Sequence, residues 1–191
     1  TIPLQLFFST FHQNLIKRVK KLDFLIALGT HPAMTPEQIK AHFGLTPSDA
    51  EHLGIGIYNH QWDNPQELKH IGTLSQEQVE KITGGLLSES IPVTINRKIF
   101  EYDELIILGP VFPHEVVGFS GGYKYFFPGI SGPEITHAFH WLSALITNPK
   151  TIGHRDTPSR EILNQAAQFI PQPVTAFCLV VKGKNPCGLF S

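Results

Sequence analysis

The chain has 191 residues, 41% of them hydrophobic, enough to bury a sizeable core in one domain. Its 15 Lys and Arg against 16 Asp and Glu leave a formal charge of −1, without the basic surplus of a nucleic-acid binder or an acidic tail. No apolar run reaches the roughly 18 residues of a membrane span, no signal-peptide pattern is visible, and Cys178 and Cys187 read as a buried thiol pair, so a cytoplasmic protein with neither membrane nor nucleic-acid partner is expected.

From the start of the chain, Phe8, Phe11, Leu15 and Val19 recur at helical spacing between Leu4 and Lys21, and the basic end (Lys17, Arg18, Lys20, Lys21) suits a helix C-terminus. Leu22 to Leu28 reads as a buried strand stopped by Gly29. Gly29-Thr30-His31-Pro32 then lies at the strand edge where open α/β sheets bind ligands. Thr35-Pro36-Glu37 is a helix start with a cap residue and proline at the first helical position, and this helix fades near Phe43-Gly44. A second short start follows at Thr46-Pro47-Ser48-Asp49, then a strand end at Gly56 to His60 and a turn at Asn64-Pro65. The polar, glycine-punctuated stretch from His70 to Leu87 carries no clear element.

Ile91 to Asn96 is β-branched and strand-like, and Glu104 to Gly109 is a buried strand that delivers Pro110 to His114. Two strands ending in glycine are thus each followed by a histidine, Gly29 by His31 and Gly109 by His114, as in two strands sharing one ligand edge. Pro133 to Ile146 has helical spacing, with His137 and His140 on a common face. Pro158 to Phe169 is an amphipathic helix, and Val174 to Val181 a last strand that turns at 182–185 into Gly188-Leu189-Phe190. The alternation predicts an α/β domain over residues 1–191, with a largely parallel sheet flanked by helices. A start at Thr1 and a strand-like end are what a piece cut from a longer protein would show.

The chemistry concentrates between Pro113 and Trp141. His114 precedes a glycine-rich turn (Gly118, Gly121, Gly122), followed by Lys124, a Pro128-Gly129 break, His137 and His140. Glycines let backbone approach a ligand closely, a desolvated lysine becomes a nucleophile, and histidines transfer protons or bind metal. The histidines at 12, 42, 52 and 70 read as ordinary surface residues, and His154-Arg155 as either a surface turn or an anion contact. The glycines alone are a weak phosphate-loop signal, since the lysine does not fall at Walker spacing.

Together Gly29-Thr30-His31, Pro113-His114, Gly118-Phe119-Ser120-Gly121-Gly122-x-Lys124, Pro128-Gly129-Ile130 and His140 resemble the nickel-dependent lactate racemase family, in order and over nearly the whole chain. The resemblance implies a Rossmann-like N-terminal domain and a nickel-pincer nucleotide (pyridinium bis-thiocarboxylic acid mononucleotide) attached to Lys124. Ser120, Gly121 and Gly122 would line the cofactor, and His140, sixteen positions after the lysine, would complete the nickel coordination. His31 and His114 would be the acid and base on opposite faces of a 2-hydroxy acid. Hydride removal to the cofactor gives a planar 2-keto acid, and the hydride can return to either face. Enzymes that make the cofactor are the implied partners.

Pro32 departs from the family's usual arginine, and the upstream motif and second domain of family members lie outside residues 1–191, so the fragment alone is expected to be inactive. The Pro128 and His140 surroundings point to a branch other than the lactate enzymes. Two other readings stay open: a non-catalytic domain in which His31, His114 and His140 hold an ordinary metal or nucleotide, and, more distantly, a hydrolase using Ser120.

Overall fold

Helix boundaries follow capping chemistry. The computed structural model describes residues 4–183 and 185–191 and opens with α1 (Leu4–Leu15). The helix stops short of the basic run. Lys21 instead pairs with Glu101 at 2.7 Å. Strand β1 (Leu22–Ile26) pairs in parallel with β2 (Ile55–Asn59), and between them lie α2 (Pro36–Phe43) and α3 (Pro47–His52). Both helices start with a capping box, Thr35 with Gln38 and Thr46 with Asp49, which satisfies two otherwise unpaired amide groups at each start.

The stretch from His70 to Leu87, in which no element is expected, contains most of β3 (Leu68–Leu74) and all of α4 (Gln76–Thr83). Here the sequence did hold a signal: Ser75 and Gln78 form a third capping box, and Gly84 closes the helix in the left-handed region at φ 63°. Strand β4 (Ile91–Asn96) pairs antiparallel with β3, then β5 (Leu105–Val111) leads to the two-residue strands β6 (Pro113–His114) and β7 (Gly118–Phe119). Helices α5 (Pro133–Ile146) and α6 (Pro158–Ala167) precede β8 (Val174–Lys182) and β9 (Asn185–Phe190). Lys184, in the expected last turn, lies outside the described residues.

This is a mixed α/β fold, but its strand pairings do not form one largely parallel sheet. Among the described residues β1–β2 and β5–β8 are parallel, whereas β3–β4, β6–β7 and β8–β9 are antiparallel. The reason is connection length. A strand that returns after a tight turn, as β9 does after β8, can only run antiparallel, since a parallel return needs a crossover of about a dozen residues or more. Moreover β1 and β5 do not pair with each other; an apolar groove of about 470 Å³ lies between them, lined by Phe8, Phe24, Ile26, Ile107 and Phe126.

The larger core gathers Val93, Ile95, Ile107, Phe127, Ile135, Phe139, Ile162 and Leu163, and a smaller one joins Phe8, Ile39, Ala50, Ile55 and Ile57. His60 is buried where the ends of β2 and β4 meet the loop before α5. Asn96 donates to its Nδ1 at 3.2 Å, which leaves Nε2–H to donate to the Ser131 carbonyl at 3.0 Å. No helix among the described residues is long and apolar enough to cross a membrane. Phe127 is fully buried one residue before Pro128. Phe127→Ala is expected to cost about 3–5 kcal/mol of folding stability, read from the denaturant midpoint at unchanged slope.

Candidate functional site

The site begins where β5 runs out of strand partners. Ser120 folds back onto that strand end: its hydroxyl donates to the Pro110 carbonyl at 2.9 Å and accepts the Phe112 N–H at 2.9 Å. Its own N–H donates to the Phe112 carbonyl at 2.9 Å. In the hairpin of β6 and β7, His114 stands opposite Gly118. Gly118 has φ 84°, and any Cβ there would collide with the His154 carbonyl oxygen, so both the conformation and the space demand glycine. The Gly153 N–H donates to the Gly118 carbonyl at 2.9 Å, fastening the hairpin to the α5–α6 connection. Gly121, at φ 87°, then turns the chain into a 3-10 turn over Gly122–Tyr125 that carries Lys124.

Lys124 is half-buried, and its amine makes no hydrogen bond or ion pair with the described residues. Desolvation, and then the Arg160 guanidinium, hold its pKa below the usual lysine range, although exposed Glu115 pulls the other way. His114 is also half-buried; burial, then the nearby Lys124 charge, push its pKa down to about 4. The Val116 N–H donates to Nδ1 of His114 at 3.1 Å, so the neutral ring carries its proton on Nε2. His140 sits on α5 with its ring 4.6 Å from that of Phe139. It remains well exposed at its outer edge, yet the surrounding protein and Lys124 still lower its pKa.

His114, Lys124 and His140 therefore lie close enough to feel one another's charge. His31 reaches the same end of the fold by a different route: the Gly29 N–H donates to the Gly129 carbonyl at 2.9 Å, which seats the β1 exit against the segment following Lys124. Its ring is exposed and makes no hydrogen bond to the described residues. His137 turns instead toward Trp62, with ring centroids 6.4 Å apart. Gly122 faces open space on the side a Cβ would occupy. A further cavity of about 420 Å³ is bordered by Gly121, Gly122, Arg155 and Arg160.

Sequence reasoning missed Glu115 and Arg160. Glu115 adjoins His114 in the sequence, whereas nothing local marks Arg160 among the polar residues of an amphipathic helix. No group of three or more His, Cys, Asp or Glu side chains able to hold a metal occurs among the described residues, so His31, His114 and His140 do not converge as a ligand set. The uncommitted Lys124 amine fits a group that bonds to it and removes its charge, and His140 can offer such a group one imidazole nitrogen.

Comparison with known proteins bears on this geometry. The family model of the lactate racemase N-terminal domain matches residues 2–153. A lactate racemase of Thermoanaerobacterium thermosaccharolyticum is 34% identical over 128 residues, covering 67% of this chain and 26% of that enzyme. A crystal structure of a Thermotoga maritima protein superposes with a TM-score of 0.87 at 32% identity, over 97% of this chain and 46% of the other. The lactate racemase apoprotein of T. thermosaccharolyticum superposes with a TM-score of 0.74 at 23% identity, over 99% of this chain and 42% of that one, and so shares the fold. The chain thus spans less than half the length of these relatives.

A titration follows from the His114 environment. Between the ordinary value of 6.5 and about 4, the unfolded chain binds this proton and the folded chain does not. Stability attributable to His114 is therefore present above the ordinary value, falls as pH drops through that window, and falls no further below about 4. The ring C–H resonances of His114 should titrate near pH 4, and His114→Asn should flatten the acid loss of stability measured by denaturation across the same window.

Proposed function

The chain belongs to the lactate racemase N-terminal domain family, and from that premise we propose that it is part of a racemase or epimerase of a 2-hydroxy acid that works with a nickel-pincer nucleotide. The observation that carries the reading is Lys124: a half-buried amine that pairs with no acidic side chain among the described residues, held beside His114 and His140 at the end of a glycine turn. When bound, the cofactor supplies an electron-poor centre that takes up the substrate's α-hydride and gives it back. Lys124 would hold it covalently through the amine, and His140 would donate a ring nitrogen to nickel. Gly121 and Gly122 would admit its nucleotide part. Ser120 would contribute by shaping that turn, since its hydroxyl is engaged by Pro110 and Phe112.

The two remaining histidines divide the proton work. His114 is neutral at ordinary pH with its proton on Nε2, so it can hydrogen-bond a substrate oxygen through Nε2–H without rearrangement. To take a proton at Nε2 it must first move its own to Nδ1 and release the Val116 N–H. His31 has no such tie and can take a hydroxyl proton directly. For the opposite antipode the roles exchange, and the release of Val116 is the added cost on that side. The substrate and the cofactor-making enzymes are the partners of this reading, and the cytoplasm its compartment.

Neither alternative has comparable support. A metal domain built on His31, His114 and His140 lacks the converging ligand set, and a hydrolase would need a free Ser120 hydroxyl.

The test uses the protein extended to the length of its relatives and expressed with the pincer-synthesis enzymes. Intact mass and metal analysis should give a nucleotide-sized adduct and nickel, mapped by peptide analysis to Lys124 and abolished in Lys124→Ala. His31→Ala and His114→Asn should each retain the adduct and lose racemisation by about a hundredfold or more. An unmodified Lys124 in that extended protein would sink the reading.

A further inference from the structure

One charged side chain outside the motif reaches directly into the glycine turn. Arg160 lies in the first turn of α6, where Thr157 caps the helix by accepting the Arg160 N–H at 3.1 Å. Its guanidinium is half-buried, and no carboxylate among the described residues pairs with it. Instead it donates to two backbone carbonyls on either side of Ser120: Nη2 to Phe119 and Nη1 to Gly121, the latter at 3.4 Å. A guanidinium withdrawn from water without a carboxylate is costly unless its donors are used, and here carbonyl groups use them.

These contacts have a directional consequence. In a trans peptide the carbonyl of one residue and the N–H of the next point to opposite sides. Drawing the Phe119 carbonyl to Arg160 turns the Ser120 N–H away, and that N–H is the one donated to Phe112. Drawing the Gly121 carbonyl the same way turns the Gly122 N–H away, and this is the peptide that opens the 3-10 turn carrying Lys124. The support behind the guanidinium is firm, since Ile162, Leu163 and Ala166 of α6 are fully buried in the larger core.

We propose that Arg160 is a positioning residue for cofactor attachment: from α6 it clamps the Phe119 and Gly121 carbonyls and so sets the peptide planes that present Lys124. This rests on the reading of Lys124 as the attachment residue. Arg160 touches neither substrate nor reacting atoms in this role. It acts through the turn.

The experiment compares Arg160→Ala, Arg160→Gln and Arg160→Lys with the parent, in the extended protein, by two readouts. Amide hydrogen exchange over 118–124 needs no cofactor. It should accelerate about tenfold or more in Arg160→Ala, less in Arg160→Lys, with exchange in α4 unchanged. The fraction of Lys124 carrying the adduct, after expression with the pincer-synthesis enzymes, should fall at least tenfold in Arg160→Ala and be partly restored in Arg160→Lys.

Unchanged exchange at 118–124 in a folded Arg160→Ala would overturn the proposal. So would acceleration spread evenly over the whole domain, or full adduct occupancy despite a loosened turn. Should the alanine variant fail to fold, Arg160→Lys decides: parent-like exchange there overturns the clamp, and local acceleration supports it. If the parent itself carries no adduct, the cofactor reading fails, and the exchange data alone judge whether Arg160 holds the turn.

Discussion

The bonds between Ser120 and the end of β5 are the interaction on which the site depends. One hydroxyl accepts the Phe112 N–H and donates to the Pro110 carbonyl, and the same residue's N–H returns to Phe112. A chain leaving a parallel strand has peptide groups that no neighbouring strand satisfies, and leaving them buried and unpaired would be expensive. Ser120 closes that account locally. Because it does, His114 and Gly118 meet across a two-residue hairpin, and Lys124 follows at a fixed distance along a single tight turn.

The electrostatics of the site derive from the same packing. Lys124, Arg160, His114 and His140 crowd together, and the acid acting on them, Glu115, is exposed and weakly placed to offset their charge. Desolvation and mutual repulsion then drive the two histidines and the lysine toward their neutral forms. Neutral imidazole can offer a ring nitrogen to a metal or a hydrogen bond to an oxygen. One arrangement thus sets the electrostatics of all three groups, while the Arg160 guanidinium donates to backbone carbonyls.

Much of the fold was legible because its signals are local. Thr35 with Gln38 and Thr46 with Asp49 announce helices from within four residues, and Pro133 and Pro158 mark two more at their first turns. Helix α4 carries the same signal at Ser75 and Gln78, within polar surroundings that show little apolar periodicity. Helix α1 ends at Leu15, short of the basic run that the spacing predicts as its C-terminus, and Lys21 of that run pairs with Glu101 instead. The run from Pro113 to Lys124 is legible as a candidate site because its glycines, of which Gly118 and Gly121 leave no room for a Cβ, form a recognisable pattern. What Ser120 does there was not, for a serine that binds a cofactor and one that staples a strand end are written identically.

The capped helix starts and the grouping of histidine, glycine and lysine in one short run were determined by the sequence alone, because each rests on residues a few positions apart. Strand direction, the separate β3–β4 pair and the unpaired groove between β1 and β5 were decided only in three dimensions, where connection length and side-chain volume choose among pairings of similar local merit. So was the place of Arg160, whose targets lie 41 and 39 positions earlier in the chain. Its charge is a property of the sequence. That no carboxylate among the described residues meets it and two carbonyls do is a property of the packing of α6 against the glycine turn.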